Sequence, residues 1–320
     1  MRIGYPQSLL YYKYFPLWER FFTELGAEVV PSGPTTKRTV SQGTIIAENE
    51  LCLPVKVFYG HLHELKDKVD AIFVPRIVSV AKKEYTCPKF LGLPDMARAV
   101  EMELPPIIGN EINFQNGWRD YLSGVYELGK VFTPSRTKIA AAYMKAIKVQ
   151  GEYVKGLETG TTPDELLENK KPVRTEAPRL RIGLAGHPYN IYDRYISMNL
   201  IKRLKDMGAE VKTAEMLPHM AIEREASRLP KKLFWTYEKE VVGTVFHWAN
   251  TRSVDGIIYV LSFACGPDSL VQVLLEHELR ATNSVPMMPL VIDEHSAEAG
   301  LITRVEAFVD MLSRKKDLLC

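Results

Sequence analysis

The feature that most limits how this chain can fold is a pattern that occurs twice. Ile3-Gly4 and Ile182-Gly183 each lie in a short strand-like run. Each is followed by an amphipathic stretch, then a glycine that re-enters a second apolar run through the same four letters, GAEV, at Gly26–Val29 and Gly208–Val211. The first stretch places Phe15, Trp18, Phe21, Phe22 and Leu25 at helical spacing, and the second places Met198, Leu200, Ile201 and Leu204. A second echo matches Val69-Asp70-Ala71-Ile72-Phe73-Val74 with Val254-Asp255-Gly256-Ile257-Ile258-Tyr259-Val260. Strands that alternate with helices build parallel sheets. The expected class is therefore α/β, with two Rossmann-like open α/β domains that arose by internal duplication and a helical insertion between them. The expected boundaries are 1–114, 115–178 and 179–320, in keeping with 320 residues at roughly 100–200 per domain.

In the insertion, Trp118, Tyr121, Leu122, Val125, Tyr126 and Leu128 recur at helical spacing, and Tyr143, Ala146, Ile147, Gln150 and Tyr153 continue the pattern. A polar, proline-marked linker runs over residues 169–178. Later, Pro230–Trp248 reads as one long amphipathic helix. Pro286–Asp293 reads as the last strand, and a final helix carries Leu301, Val305, Phe308, Val309 and Leu312. A formal net charge of +2 gives no reason to expect nucleic acid or an acidic membrane as a partner. The amino terminus lacks the continuous apolar segment of a secretion signal, and no run approaches the ~20 residues that span a bilayer. A cytoplasmic location is expected.

Three of the four cysteines share a local pattern. Cys52 in ELCLPVK, Cys87 in YTCPKF and Cys265 in LSFACGPDSL each precede a proline by one or two residues and stand before a helical pattern. Proline suits the first turn of a helix, where its missing N–H costs nothing. A helix start directs partial positive charge at a sulfur placed there and favours thiolate over thiol. Three thiolates at three helix starts make a candidate metal site, with zinc and iron–sulfur as the soft-ligand options. The competing reading is three small core residues. No CxxC pair occurs, so a zinc ribbon has little support. Cys320, at the chain end, reads as an incidental thiol.

The residues that follow these cysteines resemble a known group. Cys52, Pro54 and Lys56 followed by Tyr59-Gly60-His61, then TCPKFLGLPD at Thr86–Asp95, ACGPDSL at Ala264–Leu270 and DEHSAEAGLITRVEAFVD at Asp293–Asp310 are similar, in that order, to motifs of the 2-hydroxyacyl-CoA dehydratase superfamily. Within it the chain most resembles the acyl-CoA dehydratase activase-related and double-cubane cluster proteins. The resemblance implies that Cys52, Cys87 and Cys265 are ligands of a [4Fe–4S] cluster, or of half an [8Fe–9S] double cubane across a dimer. It implies an ATP-dependent iron–sulfur activator protein as partner, and a homodimer or a heterodimer with a related subunit. It further implies an acyl-CoA or other small-molecule substrate and low-potential electron transfer or dehydratase-like chemistry. Two other readings stay open: a non-catalytic electron carrier or scaffold, and a zinc-stabilised binding protein.

Other residues carry weaker signals. His187, after the first strand of the second copy, fits a proton donor or an orienter of a substrate oxygen, and equally a hydrogen bond to a loop carbonyl. His295 and Glu298 fit a pocket lining, while Ser296 fits a cap on the last helix. Glu48, Glu50 and Lys56 fit positioning roles or a solvated surface. No GxGxxG and no GxxxxGK[ST] occurs, which argues against a dinucleotide site and against a P-loop.

Overall fold

Each of the two strand–helix–GAEV patterns builds an edge strand and its neighbour in a parallel sheet, as resolved in a computed structural model that describes residues 1–115, 117–170, 178–282 and 284–318. Most of the linker, residues 171–177, and Cys320 lie outside the described residues. The chain divides into two compact units, Met1–Gly156 with Leu233–Thr236, and Leu157–Lys232 with Tyr237–Cys320.

The first unit begins with β1 (Arg2–Tyr5), α1 (Tyr11–Glu24), β2 (Glu28–Pro31), α2 (Lys37–Ile46), α3 (Leu53–Leu65) and β3 (Ala71–Phe73). It continues through β4 (Arg76–Ser79), α4 (Pro88–Ala99), β5 (Ile107–Ile108), β6 (Glu111–Asn113), α5 (Trp118–Gly129) and most of α6 (Arg136–Glu158). Its main sheet has the order β2-β1-β3-β5, and every pairing is parallel. β4 and β6 form a separate parallel pair. The aromatic stripe of α1 is core, as its spacing predicts. Trp18 and Phe22 lie 5.0 and 4.9 Å from the Phe73 ring, centroid to centroid.

Gly26 explains why GAEV recurs. At φ +84° it ends α1 by letting its own N–H reach the Thr23 carbonyl and the Ala27 N–H reach that of Phe22, the double bond that closes a helix through a left-handed residue. Gly208 does the same service at φ +80° in the second unit, its N–H donating to Lys205.

α5 and α6 belong largely to this first unit. Tyr153 Oη donates to the Tyr12 carbonyl at 2.6 Å and Gln150 Nε2 to the Lys13 carbonyl at 2.9 Å, which ties α6 to α1. Tyr121, Val125 and Leu128 are buried, whereas Trp118 and Leu122 of the same pattern are exposed.

The second unit comprises α7 (Pro163–Leu167), β7 (Leu180–Gly186), α8 (Pro188–Ile191), α9 (Leu200–Asp206), β8 (Ala209–Thr213), α10 (His219–Ala226), most of α11 (Thr236–Thr251), β9 (Gly256–Ser262), α12 (Gly266–Ala281), β10 (Met287–Ile292) and α13 (Glu298–Asp317). Its sheet runs β10-β9-β7-β8, again all parallel. In both sheets the first strand is flanked by the second on one side and the third on the other. All seven residues of β9 are buried, the continuous apolar run expected of a strand covered on both faces.

The valine–aspartate echo has a structural meaning. Asp70 accepts from the Arg2 backbone N–H at 2.7 Å, and Asp255 accepts from that of Arg181 at 2.8 Å. The Asp70 and Asp255 N–H groups return to the Arg2 and Arg181 carbonyls. Each pair fastens the entry of the first strand to that of the third.

Two expected helices differ. The stretch with Met198, Leu200, Ile201 and Leu204 is broken into α8 and α9, because Asp193 Oδ1 accepts from the Tyr195 and Ile196 N–H groups and Met198 and Asn199 turn to positive φ. The helix read from Pro230 starts at Thr236. Ahead of it, Phe234 stacks on Tyr85 with centroids 4.8 Å apart, and Tyr85 exchanges backbone hydrogen bonds with Phe234 and Thr236.

Packing of α2 on α3 depends on two glycines. A Cβ at Gly43 would meet the Lys56 carbonyl oxygen at 1.9 Å, and one at Gly60 would meet that of Thr39 at 2.0 Å. Gly151 on α6 faces open space. Replacing Gly43 by Ala should lower stability by about 2–3 kcal/mol through overpacking. Gly151→Ala should raise it by a few tenths up to ~1 kcal/mol. Thermal melts of the two variants should shift in opposite directions.

Candidate functional site

The three cysteines occupy one kind of position. Cys52, Cys87 and Cys265 are the residues immediately before α3, α4 and α12, and each helix has proline in its first two positions. All three are half-buried, and none is in a disulfide. Cys87 Sγ accepts from the Lys89 N–H at 3.4 Å, so at this helix start the sulfur already serves as acceptor for an amide left over from the helix. The turn that presents Cys87 is held to β4 by the Thr86 N–H, which donates to Val78 at 3.0 Å.

Cys265 follows β9 through a tight turn closed by its N–H to the Ser262 carbonyl at 3.2 Å. Ala264 sits in this turn at φ +62°, a conformation usually left to glycine and held only where the surroundings fix it. Phe263, beside it, is 64% exposed, and Leu270 and Val273 on α12 are exposed as well. Ser262 Oγ donates to Asn190 Oδ1 at 2.9 Å, which joins the end of β9 to α8.

Behind the Cys265 turn lies a buried polar cluster. His187, which precedes α8, puts Nε2 3.0 Å from Asp268 Oδ1 in the first turn of α12 and 3.8 Å from Glu238 Oε1 in the first turn of α11. Tyr259 of β9 donates its hydroxyl to Asp268 Oδ1 at 2.8 Å. The Cys265 side chain also hydrogen-bonds Asp268. Among the described residues, His187, Glu238 and Asp268 are the one group of three metal-ligating side chains with donor atoms in mutual reach.

The cluster's charges are coupled. Burial pulls the imidazolium of His187 down, but Asp268 first, then Glu238 and Glu240, outweigh burial and raise it to about 9. Burial likewise opposes ionisation of Asp268, yet His187 and the Tyr259 hydroxyl hold its carboxyl below the usual range. Glu238, with burial dominant and no such close hydrogen bond, is pushed up. The 3.0 Å approach is an ion pair without hydrogen-bond alignment: His187 Nε2, Asp268 Oδ2 and Glu238 Oε2 are buried without hydrogen-bond partners. The Nε2 side of His187 faces two acids, Asp268 and Glu238.

The remaining expected residues are dispersed. His295 and Glu298 are exposed at the opening of α13, and Glu298 pairs with Arg203. Ser296 does not cap that helix; its hydroxyl donates to Asp293 Oδ1 at 2.8 Å, and Ala297 precedes the first turn. Glu48 and Glu50 are exposed. Lys56 is buried, at 4% exposure, rather than solvated. Asp268, Glu238 and Tyr259 were not singled out by sequence reasoning. Asp268 lies inside the ACGPDSL motif three residues after Cys265, a position whose first-turn placement was available from the proline spacing. Glu238 had no local signal.

His61 of the YGH motif is structural. Its Nδ1 lies 2.8 Å from Ser32 Oγ and its Nε2 2.9 Å from Thr35 Oγ1, so a neutral ring staples the loop after β2 to α3. Burial depresses its pKa from 6.5 to about 3. Between those values the unfolded chain binds a proton that the folded chain refuses, so stability is lost as pH falls below 6.5. The contribution should approach about 1.4 kcal/mol per pH unit. Urea unfolding at stepped pH should show a shallower acid loss in His61→Asn than in the unaltered chain, although the variant starts less stable at pH 7.

None of the curated proteins matches the chain. The sequence profile of one family matches residues 2–217, a span that takes in Cys52, Cys87 and His187 and stops short of Glu238, Cys265 and Asp268. Because the match covers more than half of the 320 residues, the chain belongs to the family described as the CoA enzyme activase uncharacterised domain (DUF2229).

Proposed function

We propose that this chain is an iron–sulfur component of a CoA-dehydratase-type system, with Cys52, Cys87 and Cys265 as ligands of a [4Fe–4S] or double-cubane cluster. Membership in an activase-related family is consistent with a component of such a system. The observation that carries the reading is the recurrence of one local arrangement at all three cysteines: a half-buried sulfur just before a helix whose first turn contains proline. That donor set fits the group, since cubane clusters are held by thiolates and a helix start favours the anionic sulfur. When bound, the cluster would supply low-potential electron transfer, and three protein ligands would leave one iron open to substrate.

The chain's own share is holding and shielding. The turn at Ala264 fixes Cys265, and Asp268 braces the Cys265 side chain from behind. His187 is suited to hold a proton in a water-poor interior. His295 and Glu298, exposed on α13, are assigned to contacts with substrate or partner. The partner proposed is an ATP-dependent iron–sulfur activator, with a second copy or a related subunit completing the assembly. We further read the two sheets as Rossmann-like copies of one duplicated unit, with residues 115–178 as an insertion. Their shared strand order, the glycine-closed helices and the matching arginine–aspartate fasteners support this.

A second reading, an electron carrier without turnover, draws on the exposed Phe263, Leu270 and Val273 near Cys265. An apolar surface around a ligand suits docking to a redox partner as well as it suits a substrate channel.

Anaerobic purification tests the proposal. A brown protein with about four irons and four sulfides per chain is expected, or about eight irons shared by two chains. It should take up an electron when activator, ATP and reductant are supplied. Turnover of acyl-CoA substrates marks an enzyme, and uptake without turnover marks the carrier. Colourless protein that holds zinc under the same conditions contradicts the iron–sulfur reading.

A further inference from the structure

We propose that His187, Glu238 and Asp268 form a separate binding site for one divalent first-row transition ion, of the zinc, manganese or iron(II) class. The inference stands on the second unit alone and is independent of the cysteine reading.

Three different elements supply the donors: the residue before α8, the first turn of α11 and the first turn of α12. Their ligand atoms lie within 4.8 Å of one another. Ligands held at about 2.0–2.2 Å, with angles between a right angle and the tetrahedral value, are roughly 2.9–3.5 Å apart. The separations of His187 Nε2 from Asp268 Oδ1 and Glu238 Oε1, 3.0 and 3.8 Å, are already close to that range. Small side-chain rotations close the difference.

The second observation is what those atoms lack. His187, Glu238 and Asp268 are 3, 2 and 0% exposed. Yet His187 Nε2, Glu238 Oε2 and Asp268 Oδ2 have no hydrogen-bond partner. Buried polar atoms are rarely left so, because the hydration each loses is repaid by nothing. A single cation engaging all three side chains would remove the deficit. Binding would release the His187 proton, and any proton on Glu238, to solvent; the neutral imidazole and two carboxylates left behind carry two negative charges, which a divalent ion balances.

The donor types narrow the ligand. One nitrogen and carboxylate oxygens suit zinc, manganese or iron(II) and disfavour soft monovalent copper. Outer contacts are in place to orient them. The Tyr259 hydroxyl holds Asp268 Oδ1 at 2.8 Å, and Tyr189 lies against the His187 ring with centroids 5.1 Å apart. Because Cys265 hydrogen-bonds Asp268, an ion here would pin the first turn of α12 and with it the cysteine that precedes the helix.

Equilibrium dialysis of the full chain against Mn²⁺ or Zn²⁺, with melting temperature read in parallel, tests the site. About one ion per chain is expected at this site, with a rise in melting temperature on binding. Glu238→Gln and Asp268→Asn, which keep shape and remove charge, should each weaken that uptake at least tenfold and abolish the rise. If Asp268→Asn fails to fold, Glu238→Gln decides alone, since the amide keeps an oxygen that can accept from its own backbone N–H as the carboxylate does. A chain that takes up neither metal, or uptake that the folded variants leave unchanged, overturns the proposal.

Discussion

Parallel pairing is the constraint on which the rest depends. A strand that must lie parallel to its predecessor cannot be reached by a tight hairpin; it needs a crossover, and here the crossovers are largely helical. Each such helix starts at the carboxyl edge of the sheet it covers, so first-turn residues collect at that edge. His187 after β7 and Cys265 after β9 occupy equivalent places in this sense, each followed by a helix with proline in its first turn. Adjacent strands β7 and β9 then bring the two helix starts together. The contact between His187 and Asp268 is a consequence of that adjacency.

Two buried histidines show how surroundings decide what a motif residue does. His61 is enclosed by hydroxyls, which bond a neutral ring and offer no charge, so burial governs and the ring stays neutral. His187 is equally enclosed but faces carboxylates, which overcome burial and keep it charged. A charged ring against two acids, with donor atoms unmatched by hydrogen bonds, is a poor way to stabilise an interior and a good way to hold a proton or an ion. In the second unit this polar cluster lies directly behind the turn that displays Cys265.

Much of this arrangement was legible in the letters. The glycine of GAEV marked both helix ends because only a left-handed residue completes that closure. The Cys–Pro spacings marked three helix starts, since proline is tolerated in a first turn and seldom later. The valine–aspartate pairs marked strand entries without revealing that each aspartate binds a backbone amide. What stayed hidden depends on long-range packing. Asp193 interrupts the expected helix after β7, and Phe234 is drawn to Tyr85 before α11 can begin. Lys56 looked solvated because lysine usually is, yet α2 covers it where Gly43 meets its backbone. Glu238 lies far in sequence from both of its cluster partners, so no periodicity could join them.

The proposed cluster requires three cysteines to act together. Iron and acid-labile sulfide measured on anaerobically isolated Cys52→Ser, Cys87→Ser and Cys265→Ser chains test it most directly. If the three hold one group, each replacement alone should remove most of the iron, while Cys320→Ser keeps the full content. Full iron in any one of the first three variants would contradict the shared site.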